Sequence, residues 1–145
     1  MAEKLDLEAI LDEIERDSTV NMNQLVQESA RIPLLHAKWL RKLVQATRDF
    51  HTTQAKFDKV VRLKHDYYLG RASDEVYRKF PLHIKASKSE LQMYLDADDG
   101  YVAIKAELTD ATIIQNLIEQ FINELNKRNF TIKNAIDYMK FQGGM

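Results

Sequence analysis

Cysteine is absent from this 145-residue chain, and only four Gly and two Pro are present. Without cysteine there is no disulfide staple, no thiolate zinc site and no cysteine nucleophile, a composition suited to a reducing compartment. Glycines at positions 70, 100, 143 and 144 alone cannot build a P-loop, a GxGxxG turn or a GxSxG elbow, which argues against nucleotide hydrolysis. HExxH is missing, and none of the four His has the Glu-x-x-His spacing of bundle di-metal sites. Asp96, Asp98 and Glu107 fall at offsets 1, 3 and 12 of a calcium loop, but Tyr101 stands where that loop needs Gly. Helix capping is the better reading of those acids. The scattered Asp and Glu make no assignable acid/base pair, so no catalytic residue, metal or cofactor is assigned. No apolar run approaches the roughly 20 residues of a bilayer span. The stretch MAEKLDLEAILDEIERD is acidic and has no basic n-region before an apolar one, so it does not read as a signal peptide. A soluble protein without a membrane partner is expected.

Hydrophobic residues make up 45% of the chain, enough for a core, and the 30% charged content with so few Gly and Pro favours helices. The net charge of −1 conceals a segregated distribution. Residues 1–30 carry Lys4 and Arg16 against eight acids, a balance of −6. Residues 31–88 carry fourteen Lys and Arg against five acids, or +9, and hold all four His; residues 89–145 carry five bases against nine acids, or −4. Segregation of this kind creates a local field, although a solvated helix face would carry the same charges.

Periodicity predicts an all-α fold with long helices. A first helix over Leu5–Asp17 places Leu7, Ile10, Leu11 and Ile14 on one stripe. Asn21 or Asn23 can cap the next. From about Asn23 to Leu69, Ile32, Leu35, Trp39, Leu43, Ala46, Phe50, Thr53, Phe57, Val60 and Lys64 recur at steps of three and four, forming one seam. Pro33 predicts a kink, or a break after Arg31. From Leu34 to Leu69 this helix would reach roughly 50 Å, too long for one monomer of this size to cover, so part of the seam should meet other subunits. Gly70 is a helix stop, Ser73-Asp74-Glu75 starts a short helix ending before Pro81, and Ser87-Lys88-Ser89-Glu90 reads as a capping box ahead of Leu91–Leu95. A second seam runs through Tyr101, Ile104, Leu108, Ala111, Ile114, Ile118, Phe121 and Leu125. Lys127-Arg128-Asn129 would close that helix, and Thr131 would cap a last one carrying Ile132, Ile136 and Met139. A hairpin over 92–105, turning at Asp99-Gly100, is the one β alternative. The chain thus divides into an acidic N-terminal helix (1–20), a long basic helical region (21–86) and a C-terminal helical region (87–145).

One basic segment joins charge to aromatic faces. Lys59, Arg62, Lys64 and Arg71 can approach phosphates, and Tyr67 and Tyr68 offer stacking surfaces near a helix end. Single-strand binders combine these two features because unpaired bases stack while phosphates are neutralised. Either tyrosine could instead continue the apolar seam into the core.

At these residues the chain resembles the UvsY-type recombination mediator proteins of T-even-like tailed phages. The matching landmarks are Lys38-Trp39-Leu40, Asp66-Tyr67-Tyr68 with Gly70-Arg71 and Asp74-Glu75, and Leu95-Asp96-Ala97-Asp98. Arg128-Asn129-Phe130-Thr131-Ile132-Lys133-Asn134-Ala135-Ile136-Asp137 with Lys140-Phe141 completes the set. They recur in order over about residues 34–145. The resemblance implies a non-enzymatic mediator of DNA recombination, repair and replication. It would bind single-stranded DNA and load a RecA-like recombinase onto strand coated by single-strand-binding protein, in the host cell cytoplasm. It also implies a homo-oligomeric ring, hexamer or heptamer, with the C-terminal region important for assembly. Ile118, Phe121, Leu125, Phe130, Ile132, Ile136 and Phe141 are its candidates for that role. The family's DNA contacts include a Lys and an Arg two positions apart before Asp-Tyr-Tyr; Arg62 and Lys64 stand there in swapped order, and both remain cationic. The alternative is an architectural helical oligomer whose basic stretch is a solvated rim with no nucleic-acid role.

Overall fold

The computed structural model describes residues 3–144, which form five helices and no strand: α1 (Leu7–Ser18), α2 (Leu25–Tyr68), α3 (Asp74–Lys79), α4 (Leu91–Asp96) and α5 (Asp99–Gln142). Asp6 opens α1 by accepting the Ala9 N–H at 3.0 Å, which satisfies one orphan donor of the first turn. Within α2 the break expected after Arg31 does not occur, and Pro33 lies inside a single 44-residue helix. Its missing N–H leaves the Ser29 carbonyl without a helical donor. Ser29 and Pro33 are both exposed, so water can satisfy that carbonyl.

The end of α2 follows its sequence closely. Gly70 takes φ +78°; its N–H donates to the Tyr67 carbonyl at 3.2 Å, and the Arg71 N–H donates to that of Asp66 at 2.8 Å. This is a Schellman motif, which needs a left-handed residue at Gly70. Ser73 caps α3 through the Val76 N–H. The capping box before α4 does not form: the Ser87 hydroxyl donates to the Glu90 carboxylate at 2.6 Å, and no side chain caps the α4 backbone. Residues 92–105 form the body of α4, a two-residue junction and the start of α5, not a hairpin. Asp98 accepts the Tyr101 N–H at 2.9 Å, so Asp99-Gly100 becomes the first turn of α5. That helix also runs past the stop expected at Lys127–Asn129, with Thr131 in its interior. Neither Gly nor Pro interrupts residues 101–142, and the buried row Leu125, Arg128, Ile132 keeps the helical step.

The chain packs as two units, the first comprising the residues up to Asp49 and those from Thr112 onward, the second Phe50–Ala111. In the first, Ile10, Leu35, Trp39, Ala46, Ile114, Ile118, Phe121, Ile122 and Leu125 form the main core. Trp39 is wholly buried and meets Phe121 edge-on at 5.0 Å. Its indole N–H donates to Asp17 at 2.9 Å. Lys38 reaches Asp17 at 2.7 Å and Glu13 at 3.0 Å, and Lys42 reaches Glu13 at 3.4 Å. Burial raises the Glu13 and Asp17 carboxyls, but the hydrogen bonds and charge of Lys38, with Trp39 or Lys42, outweigh it and hold both below their ordinary values. Three of the fourteen cations counted as basic surface are spoken for here or nearby, since Arg31 lies 3.9 Å from Glu28.

The residues assigned to assembly divide sharply. Ile118, Phe121 and Leu125 belong to the main core, and Ile132 packs with Leu25, Ile32 and half-buried Ile136 in a second cluster. Phe130 and Phe141 are 70% and 80% exposed, which leaves these two as the surface candidates. The second unit is built on Leu91, Leu95 and Tyr101, packed with Phe57, Val61, Tyr68 and Leu69. No described helix is long and apolar enough to cross a membrane.

Candidate nucleic-acid interface

Helical geometry separates the predicted phosphate ligands. At about 100° per residue, side chains two positions apart point roughly 200° apart around the axis, so Arg62 and Lys64 cannot share one face. Lys56, Lys59 and Arg62 recur at steps of three, and all three are exposed. Among the described residues no carboxylate pairs with Lys59, Arg62 or Arg71.

Lys64 lies on the other side of the helix and has a partner. Its ammonium is 3.1 Å from Asp98, whose carboxylate also accepts the Tyr68 hydroxyl at 2.7 Å and the Tyr101 N–H at 2.9 Å. Asp98 is buried, which raises its carboxyl, but these three donors reverse that and hold it below the usual carboxylate value. Burial first, then the bond to Asp98 and its charge, push the Tyr68 phenol well above its ordinary range. Tyr68 is therefore fixed as a neutral donor. The offset-3 residue of the discarded calcium pattern is thus a helix cap and the counter-ion of Lys64.

Beside this network lies a groove of about 700 Å³ at the end of α2, lined by Lys64, Tyr67, Tyr68 and Arg71 of the predicted set. Leu63, Val76 and Phe80 also line it. The Schellman turn sets Arg71 at its edge. Tyr67 is engaged on two sides: edge-on to Tyr68 at 5.0 Å and stacked on Tyr77 at 5.6 Å. Tyr77 is itself pinned, since its hydroxyl donates to the Tyr67 carbonyl at 2.8 Å and accepts the Ala72 N–H at 3.1 Å. Four of the six predicted residues thus meet at the groove, while Lys59 and Arg62 lie on the exposed row of α2.

Sequence reasoning missed Phe80 and the pairing role of Asp98. Phe80 could have been noticed as an aromatic between Arg78-Lys79 and Pro81, at a helix end where nothing in the periodicity demands a core residue. No local pattern announces the Lys64–Asp98 pair, which joins positions 34 residues apart in the chain.

Residues 13–145 match the family model described as recombination, repair and ssDNA binding protein UvsY. The recombination protein uvsY of Enterobacteria phage T4 is 25% identical over 138 residues, spanning 95% of this chain and 98% of that protein. Among solved structures, crystal forms of the bacteriophage T4 recombination mediator protein UvsY share the fold. One superposes with a TM-score of 0.82 at 23% identity over 96% of this chain and 98% of that one. Another gives 0.79 at 23% identity over 92% and 98%.

Proposed function

The chain belongs to the UvsY family of recombination, repair and single-stranded-DNA-binding proteins, and from that premise we propose that it binds single-stranded DNA through the second unit. The family is one of recombination mediators and not a known enzyme family. The observation that carries the reading is the exposed row Lys59 and Arg62, free of carboxylate partners, together with Arg71 at an aromatic-lined groove. Phosphates are neutralised by such unpaired cations, and bases stack on π-faces beside them. Lys64 contributes by neutralising Asp98, one of the two carboxylates that line the groove, the other being Asp66.

The mediator acts by binding and geometry, without catalysis. It holds the strand in a shape unfavourable to single-strand-binding protein and so lets a RecA-like recombinase nucleate, in the cytoplasm of the host cell. A ring of six or seven copies would present the basic surface repeatedly and add weak contacts through multivalency. Exposed Phe130 and Phe141 in the C-terminal region supply candidates for contact between copies. The acidic outer positions of α1, Glu8, Asp12 and Glu15, remain exposed and suit protein contacts, since their charge repels DNA.

Fluorescence anisotropy with labelled oligonucleotides across a salt series tests the DNA reading, and sedimentation tests the ring. Affinity should fall steeply with salt. No binding at low salt by an intact oligomer would overturn the reading and favour the architectural alternative; a stable monomer would remove the ring.

A further inference from the structure

Phe80 is the one large aromatic at the groove whose ring is unengaged. It ends α3, where its N–H donates to the Val76 carbonyl, and its side chain is 63% exposed. Among the described residues no ring or cation contacts it. The two tyrosines expected to stack are spent otherwise. Tyr67 is covered by Tyr77 and Tyr68, and Tyr68 is hydrogen-bonded to Asp98 and tilted against Tyr94 at 5.6 Å. Leu63 and Val76, both exposed large apolar residues, face the same groove.

We infer that this groove is a nucleobase pocket, with Phe80 as its stacking platform, Leu63 and Val76 as apolar walls and Arg71 holding the adjoining phosphate. The assignment rests on the single-stranded-DNA reading and names the subsite within it. Charge selects the occupant. The groove's own lining is balanced in count, Lys64 and Arg71 against Asp98 and Asp66, while Lys59 and Arg62 outside it on α2 are exposed and unpaired. An alternating base-and-phosphate chain, its base in the groove and its phosphates on the cations around it, complements that mixture. A free apolar peptide would leave Arg71 without a counter-charge. Stacking on Phe80 is also tolerant of sequence, because every base has a π-face.

The test uses the full-length protein and anisotropy titrations with two oligonucleotides of equal length, one of thymidines and one wholly abasic. Phe80→Ala should weaken binding of the thymidine strand by about 5- to 150-fold, the range for one lost base–aromatic stack. The salt slope should stay unchanged, and so should affinity for the abasic strand. Phe80→Tyr should bind like wild type, and Phe80→Leu, which keeps apolar bulk without the ring, should be as weak as the alanine variant. Equal affinity of Phe80→Ala and wild type for thymidines, or an equal loss on both strands, would overturn the pocket while leaving DNA binding in place. A leucine variant that binds normally would also overturn it and make the groove a general apolar seat. Failure of wild type to bind either strand would instead overturn the DNA reading itself, and the pocket with it.

Discussion

The two units use lysines differently. In the first, Lys38 and Lys42 are drawn onto Glu13 and Asp17, so the acidic α1 is partly a counter-ion for α2. In the second, Lys64 is the only cation of the basic stretch 56–71 held by an ion pair among the described residues, while Lys59, Arg62 and Arg71 face solvent. A charge sum counts all of these alike. The difference teaches that a basic segment becomes a binding surface through the cations its own fold leaves unpaired. It also sets Lys64, held in an ion pair, apart from Arg62, the proposed phosphate contact two residues away.

Breaking the first unit should give the largest effect. Trp39→Ala removes its wholly buried aromatic and orphans an Asp17 hydrogen bond, and should cost about 3–5 kcal/mol in urea unfolding. The DNA affinity of the protein that remains folded should not change. In the second unit, Lys64→Met leaves the buried Asp98 carboxylate short of a donor and should cost about 1–3 kcal/mol. Adding Asp98→Asn should recover most of the loss, because the uncompensated charge is then gone. Failure to recover would mean that Lys64 is held by something other than this pair.

Acid should sharpen the comparison with a smaller change. Asp98, Asp17 and Glu13 all have depressed carboxyls in the fold. Near those values the unfolded chain binds more protons than the native one, so stability rises with pH across that window. The contribution is complete above the ordinary values of 3.8 for Asp and 4.5 for Glu and is lost as pH falls through the depressed ones. Lys38 is the mirror case: burial lowers it, but its bonds to Asp17 and Glu13 raise it above 10.5, so its share is lost only as pH rises beyond that. Urea midpoints at about pH 6 and about pH 3 should therefore differ less for Asp98→Asn than for wild type. An equal drop in both would show that Asp98 carries no part of the acid sensitivity.

Much of the helical architecture was legible because its signals are local. The apolar seam of α2 is written in steps of three and four residues, and the stop at Gly70 and the Ser73 cap in a few adjacent ones. The break allowed after Arg31 and the end expected at Asn129 did not occur, for a related reason. Pro33 sits where solvent can satisfy the orphaned carbonyl, and Arg128 is buried on the inward face of α5, so it continues a seam that its charge suggested should stop. At the candidate site, residue types were legible but partners were not. Asp98 meets Lys64 and Tyr68 only after folding, and Tyr67 loses its free faces to Tyr77 and Tyr68. Sequence spacing could place Arg62 and Lys64 near one another, and the helix then turned them apart.

The most direct test of the account is the salt slope of single-stranded-DNA affinity for Arg62→Ala beside Lys64→Met with Asp98→Asn. The account predicts that Arg62→Ala unfolds like wild type, within about 0.5 kcal/mol, yet loses about 0.7 from the log–log slope, the value for one released phosphate contact on a single strand. The Lys64→Met, Asp98→Asn variant should keep the wild-type slope. A normal slope for Arg62→Ala together with a reduced one for the double variant would contradict it, placing the phosphate on Lys64 instead.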